Sequence, residues 1–421
     1  MRFAGYLHER LQVLWNSSFS LYILSCLLAA FGHGLVYIAL SWNSLNSGPL
    51  LGNMALLMLC LWGPSVILAP IVGWLVDSFP SKMFVLLSNL LRGVSMLLLA
   101  FNLMQEPDSL KMLFGFSLII GIFNAFYHPA ALVLIRQIVH PNQLLYANST
   151  ADCAIELGSV TGMGCAGIFL AFWGSQFTIM MGGCLFLASG FCLFPITLRY
   201  PKEKKKDTES LLKSLQSGLS FLSKHPHLQL IYLIQCILMM IMMTAPVLLA
   251  PYAKQYLSLD VKGFSHLEAL FSLGAVLGGI FVPYGVRYFS EKGTLSFLWW
   301  ILALTFFLLA SLYDALLTKV IYGFVGFALS SWAIVLTKAQ EYTPPDYQGR
   351  LLSLAHGIGG GLILLLYCCA YFFHHIFSIS ALYYLEAFLV LLCWVLYVFY
   401  LNQITDLERP SYSFKKEIGI D

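Results

Sequence analysis

The chain has 421 residues, 59% of them hydrophobic and only 10% charged, with a mean hydropathy of +0.80. Soluble domains are about 45–50% apolar and about 25% charged. A chain this poor in charge cannot cover a water-facing surface, which argues against a soluble enzyme, a disordered chain or a nucleic-acid binder. The net charge of +3 says little by itself, and the placement of the 23 Lys and Arg says more.

A membrane-spanning helix needs roughly 20 apolar residues. Apolar runs between polar breaks predict twelve, at 19–43, 50–76, 82–104, 110–136, 147–172, 175–199, 227–253, 264–289, 294–313, 318–338, 351–374 and 378–402. The alternating apolar and polar strands of a β-barrel are absent, so the predicted class is an all-α membrane protein. The first run is about 25 residues long and lacks an A-x-A exit, so it reads as a span and not as a removed leader. The long polar gap, 200–226, divides the chain into a bundle over 1–199, a basic linker over 200–226, a second bundle over 227–402 and a tail over 403–421. Within the linker, 211–222 has apolar residues at helical spacing and predicts a short helix on the membrane surface.

With the N-terminus inside, eighteen of the 23 basic residues fall on inner segments and four (Lys111, Lys254, Lys262, Lys319) on outer ones, leaving Arg92 within the third run. The positive-inside rule then places both termini and the linker in the cytoplasm. An added or missing span in either half would destroy this asymmetry. The ten cysteines all lie in apolar runs with no CxxC pair, so they read as small apolar filler. The halves also echo each other. Asp77 and Lys82 are five apart between runs two and three, as Arg287 and Lys292 are between runs eight and nine, and Pro-Asn or Pro-Asp turns precede runs five and eleven. Duplicated halves are a build of secondary transporters, whose substrate site lies at the repeat interface.

Gly73-Trp74-Leu75-Val76-Asp77-Ser78-Phe79-Pro80-Ser81-Lys82 resembles the helix 2–3 signature of the major facilitator superfamily. Ala39–Trp42, Leu86–Gly93, Ala125–Ala130 and Gln143–Ser149 resemble one branch of it, the bacterial exporters of macrolides and of siderophores such as enterobactin, with lysophospholipid transporters as neighbours. The resemblance implies a gate built on Gly73, Asp77 and Lys82, with Arg136 as the partner chosen for Asp77. It also implies a seam between the halves made of spans two, five, eight and eleven, and a central cavity among spans one, four, seven and ten. Candidate liners on those spans are Tyr37, Asn124, Tyr127, Gln235, Met239, Tyr322 and Trp332. Two GxxxG pairs, Gly158 with Gly162 and Gly274 with Gly278, are expected at the seam, since such faces permit close helix approach. The chain departs from the superfamily pattern in three places: Lys82 is the one base left after Asp77, span five has no Gly-Pro pair, and span four has no arginine at mid-depth.

Charges inside hydrocarbon are costly and mark pathways or partners. At 1.5 Å per residue, Asp152 lies about 7 Å deep, Glu156 about 13 Å and Arg92 about 15 Å. Spacing i,i+4 puts both acids on one face. They read either as a static ion pair with Arg92 or as proton carriers. His33, between Gly32 and Gly34, is a further relay candidate because imidazole titrates near neutral pH. The run of Met239, Met240, Met242 and Met243 suits varied apolar ligands. No phosphate-binding GxxxxGK[ST] loop and no Ser/His/Asp or zinc constellation is present, so no cofactor, nucleotide or nucleic acid is expected. The expectation is a monomeric, proton-coupled exporter of a small amphipathic molecule in a bacterial inner membrane, in contact with substrate, protons and lipid. A lysophospholipid transporter without obligatory proton exchange is the alternative, and a non-transporting membrane protein of the same fold is the third reading.

Overall fold

The computed structural model describes residues 16–46, 48–107, 109–140, 143–200 and 211–406. Among these, fourteen helices follow in order: α1 Ser17–Ser44, α2 Leu50–Ile67, α3 Ala69–Ser78, α4 Ser81–Gln105, α5 Leu110–Ile138, α6 Leu144–Leu193, α7 Leu211–Ser223, α8 Pro226–Gln255, α9 Val261–Phe289, α10 Glu291–Ser311, α11 Ala315–Leu329, α12 Ser331–Tyr342, α13 Pro345–Phe372 and α14 Ile379–Asp406. Eleven continuous helical stretches are long and apolar enough to cross a membrane. The longest, running through α6, reverses at Gly174, whose φ of +79° and ψ of 177° are not helical. A side chain there would be strained, so the reversal is made with no loop, and eleven stretches become twelve spans. The second span bends between α2 and α3, ahead of Pro70, and the tenth bends at Ser330 between α11 and α12.

Most predicted runs agree with these helices, but several start three to six residues late, as at 264 for Val261 and 351 for Pro345. Helix N-termini carry polar caps and first turns, which an apolar count discards. Asp260 and Asp314 accept hydrogen bonds from Gly263 N–H and Leu317 N–H, and so open α9 and α11. The sixth predicted run extends to 199, yet its helix ends at Leu193. There Lys82 Nζ donates to the carbonyls of Phe194 and Ile196, both at 2.8 Å, a cation at a helix C-terminus.

The helix ends carrying Lys82, Arg136, Lys224, Arg287, Lys292, Lys338 and Arg350 form one basic end of the molecule. Similar ties recur there in both sets of six spans. Ser81, opening α4, donates to Gln137 at the end of α5 (2.5 Å), and Lys338 of α12 pairs with Glu291, opening α10 (2.7 Å). A helix forms where the spacing over 211–222 predicts one: α7 is docked on α13 through Arg350–Ser217 (2.9 Å) and the stacked rings of Phe221 and Tyr347 (4.1 Å between centroids).

The GxxxG pairs do not form the seam. Gly158 and Gly162 bring α6 against the backbone of Leu27 and Phe31 on α1, and Gly274 and Gly278 bring α9 against Gly323 and Phe327 on α11. A side-chain carbon at any of the four would run into backbone, so these glycines hold spans together within one set of six. The sets meet through other residues: Gly164 and Gly167 against Ala269 and Ser265, and Gly63 and Gly360 of α2 and α13 against Leu364 and Val66.

Candidate functional site

The two sets of spans close on each other at the end opposite the basic one. Lys254 Nζ donates to Leu45 carbonyl at 2.6 Å and sits 5.5 Å from the centre of the Trp42 ring, which stacks on Phe264. One turn and a half deeper, Tyr37 OH on α1 donates to Glu268 Oε1 on α9 at 3.0 Å, with both residues buried. Toward the basic end this packing gives way to open space. A cavity of about 620 Å³ runs from Glu156 at mid-depth, past Phe271 and Trp332, to Glu291, Lys338 and Glu341 at the basic end. Its walls are mostly apolar or small, with Met242, Gly278 and Ala333 among them.

A second space, of about 160 Å³, lies among the first five spans and gathers His33, Arg92, Asn124, Tyr127 and His128. Arg92 is its centre. Its Nη1 donates to Asn124 Oδ1 at 2.6 Å and its Nη2 to Asn89 Oδ1, while Nε reaches Ser88 carbonyl at 3.3 Å. The guanidinium carbon lies 4.4 Å from the Tyr127 ring centre and 4.7 Å from that of Phe186. Among the described residues Arg92 has no carboxylate partner in this conformation. Asp152 and Glu156 are both exposed, and Glu156 borders the large cavity while Ile155 and Ser159 border the smaller space. The face of α6 bearing Glu156 thus stands between the two.

The expected liners separate. Trp332 faces the large cavity, and Asn124 and Tyr127 line the smaller space. Tyr37 is committed to Glu268, Tyr322 is buried against Phe271 (5.4 Å), Met239 packs on Gly359, and Gln235 is buried with neither amide atom bonded among the described residues. Among the methionines of α8, Met242 is the cavity liner. At the expected gate, Gly73 faces open space, Lys82 is spent on α6 and Arg136 is exposed in the last turn of α5; the Asp77 side chain lies outside the described residues.

Two buried carboxyls escaped the sequence reading. Glu268 and Glu386 each lie seven residues into their helices, about 10 Å from the non-basic end. The depth arithmetic that singled out Glu156 applies to them as well. Glu268 falls only four residues inside the predicted run 264–289, at what reads as a helix end, and Glu386 has no second charge near it in sequence.

The sequence model of the Major Facilitator Superfamily matches residues 22–366, most of the chain. The chain belongs to this superfamily. It is a multi-pass membrane transporter and not an enzyme. Among its relatives are an uncharacterised transporter of the superfamily, YvqJ of Bacillus subtilis strain 168, and the multidrug efflux pump Tap of Mycolicibacterium fortuitum. The first is 24% identical over 277 residues, 63% of this chain and 64% of that protein. The second is 23% identical over 361 residues, 80% of this chain and 86% of that one. Solved structures of the same fold include a variant of the nucleoside transporter NupG (TM-score 0.72, 14% identity, 91% of this chain and 100% of that one). A bacterial homologue of the iron transporter ferroportin also shares it (0.71, 17%, 91% and 98%). The large cavity is walled almost entirely by α8 to α12 of the second set of spans, with Glu156 contributed by the first, and the two sets are closed on each other at the non-basic end, the geometry of one state in an alternating-access cycle.

Proposed function

We propose that the chain exports a small amphipathic or hydrophobic molecule from the cytoplasm of a bacterium, in exchange for protons, by alternating access. The observation that carries this reading is the 620 Å³ cavity, open toward the basic end, walled by Phe271, Met242 and Trp332 and bearing one carboxylate, Glu156, at mid-depth. With the basic end in the cytoplasm, as the positive-inside rule places it, the cavity loads from inside. Thioether and aromatic walls adapt to solutes of varied shape. The likeness to a multidrug efflux pump over most of both chains supports export of drug-like solutes, and the branch resemblance adds macrolides and siderophores.

Proton coupling requires a group that binds a proton differently in the two states. Glu156 lines the open cavity here, and the coupling reading has it pair with Arg92 of α4 in the alternate state. Reconstituted vesicles test this. Wild-type protein should accumulate a dye or macrolide when a pH gradient is imposed, and Glu156→Gln should retain exchange but lose accumulation. Gradient-driven accumulation by Glu156→Gln would reject the coupling role. Movement of lysophospholipid between leaflets without a pH gradient would favour the lipid-transport reading.

A further inference from the structure

Glu386 stands outside the cavity just described. It is 5% exposed on α14, in the half of the bundle toward the non-basic end, and Thr244 Oγ1 donates to its Oε1. Its Oε2 has no partner among the described residues. The carboxyl borders a chamber of about 140 Å³ between α2, α8, α13 and α14, whose other walls are apolar: Leu51, Leu248, Leu366, Leu382 and Leu389 among them. No Lys or Arg lines the chamber, and it shares no residue with the large cavity. A second space of about 240 Å³ shares Leu51 and Phe377 with it and is lined by Gln255, Tyr256, His374 and Ser378, all at the non-basic end. The two spaces adjoin along these shared walls, the polar one at the non-basic end and the apolar one with a carboxyl at its wall.

We propose that this chamber is a binding site for a monovalent organic ammonium ion with an apolar body, entered from the non-basic side. A buried carboxylate without a counter-charge is disfavoured, and a cation beside it removes most of that cost. An ammonium also donates the hydrogen bond that Oε2 lacks. The leucine walls match an alkyl or aryl body. A calcium or magnesium ion would need six or more oxygen ligands, and the chamber presents one carboxyl and one hydroxyl. An anion would face a carboxylate with no base beside it. The site stands apart from export through the central cavity, so its test is a binding measurement that does not require transport.

The protein is reconstituted in phosphatidylcholine nanodiscs and titrated at neutral pH with radiolabelled 2-phenylethylamine, an ammonium ion there, and with neutral 2-phenylethanol. Saturable binding of the ammonium is expected, weakened at least tenfold in Glu386→Gln. Ala370→Leu keeps the carboxyl but narrows the chamber, and should weaken binding to a similar degree. The alcohol should compete poorly with the ammonium and be indifferent to Glu386→Gln. No saturable binding to the wild type, binding to Glu386→Gln within twofold of wild type, or an alcohol that competes as well as the ammonium would each overturn the proposal. Should Glu386→Gln fail to fold, Ala370→Leu and the comparison of the two probes on the wild type still decide.

Discussion

Arg92 is a cation surrounded by neutral groups. Two asparagine carbonyls, a backbone carbonyl and two ring faces replace its hydration shell. A guanidinium serves both asparagines at once because its donors fork in a plane, whereas an ammonium is a point donor. Arg92→Lys should therefore lose one asparagine and both ring contacts, costing about 2 kcal/mol and lowering the melting temperature in detergent. An unchanged melting temperature would show that the ring and asparagine contacts contribute nothing. Tyr37 gives a second test. Tyr37→Phe leaves Glu268 Oε1 without its donor only while the non-basic end is closed, a penalty of about 1–3 kcal/mol on that state. The expected outcome is a shift of roughly tenfold toward states open at that end. It would be read as a longer distance between spin labels at Lys111→Cys and Lys319→Cys, in a background lacking the exposed Cys153 and Cys184. Residues like these were only partly legible in the sequence. A lone charge in an apolar run marks itself, and so Arg92 and Glu156 stood out. Whether the partner is a carboxylate or two asparagines depends on which helix faces meet, and hydropathy does not carry that.

Among the elements, close helix approach is decided by a few glycines. Gly162 sits against the Phe31 carbonyl of α1, so Gly162→Leu should prevent α6 from docking and leave little folded protein in fluorescence-detected size-exclusion chromatography. Gly73→Ala meets no neighbour and lies within α3, so it should not destabilise and should gain about 0.5–1 kcal/mol from helix propensity. A large loss in that variant would mean that the glycine is held tightly in this state. The existence and order of the helices were readable because spans must be long, apolar and separated by polar breaks. Even the reversal at Gly174 fell between predicted runs. The packing partners of the GxxxG faces were not readable: the same small-residue face serves a neighbour within a half as well as one across the seam, and the motif alone does not distinguish them.

For the whole molecule, the uneven spread of basic residues predicts which end meets the cytoplasm. Lys224→Cys should stay unlabelled by a membrane-impermeant maleimide in intact cells, and Lys262→Cys should react. Labelling of Lys224→Cys from outside would invert the orientation and turn the proposed exporter into a protein loading from the other side. The connections at the two ends differ as well. At the basic end the connection between α6 and α8 carries the docked helix α7. At the opposite end the links are short, the longest being 373–378, and one is a bare reversal at Gly174. An antibody or other protein binder typically covers about 800 Å² of its target, and short links between membrane-embedded helices offer no such raised surface. If the basic end is cytoplasmic, the transporter is nearly featureless to its surroundings. A reagent raised against whole cells would have to wait for the alternate state, in which the helix ends part, and reach into the concavity so opened, as long nanobody loops do.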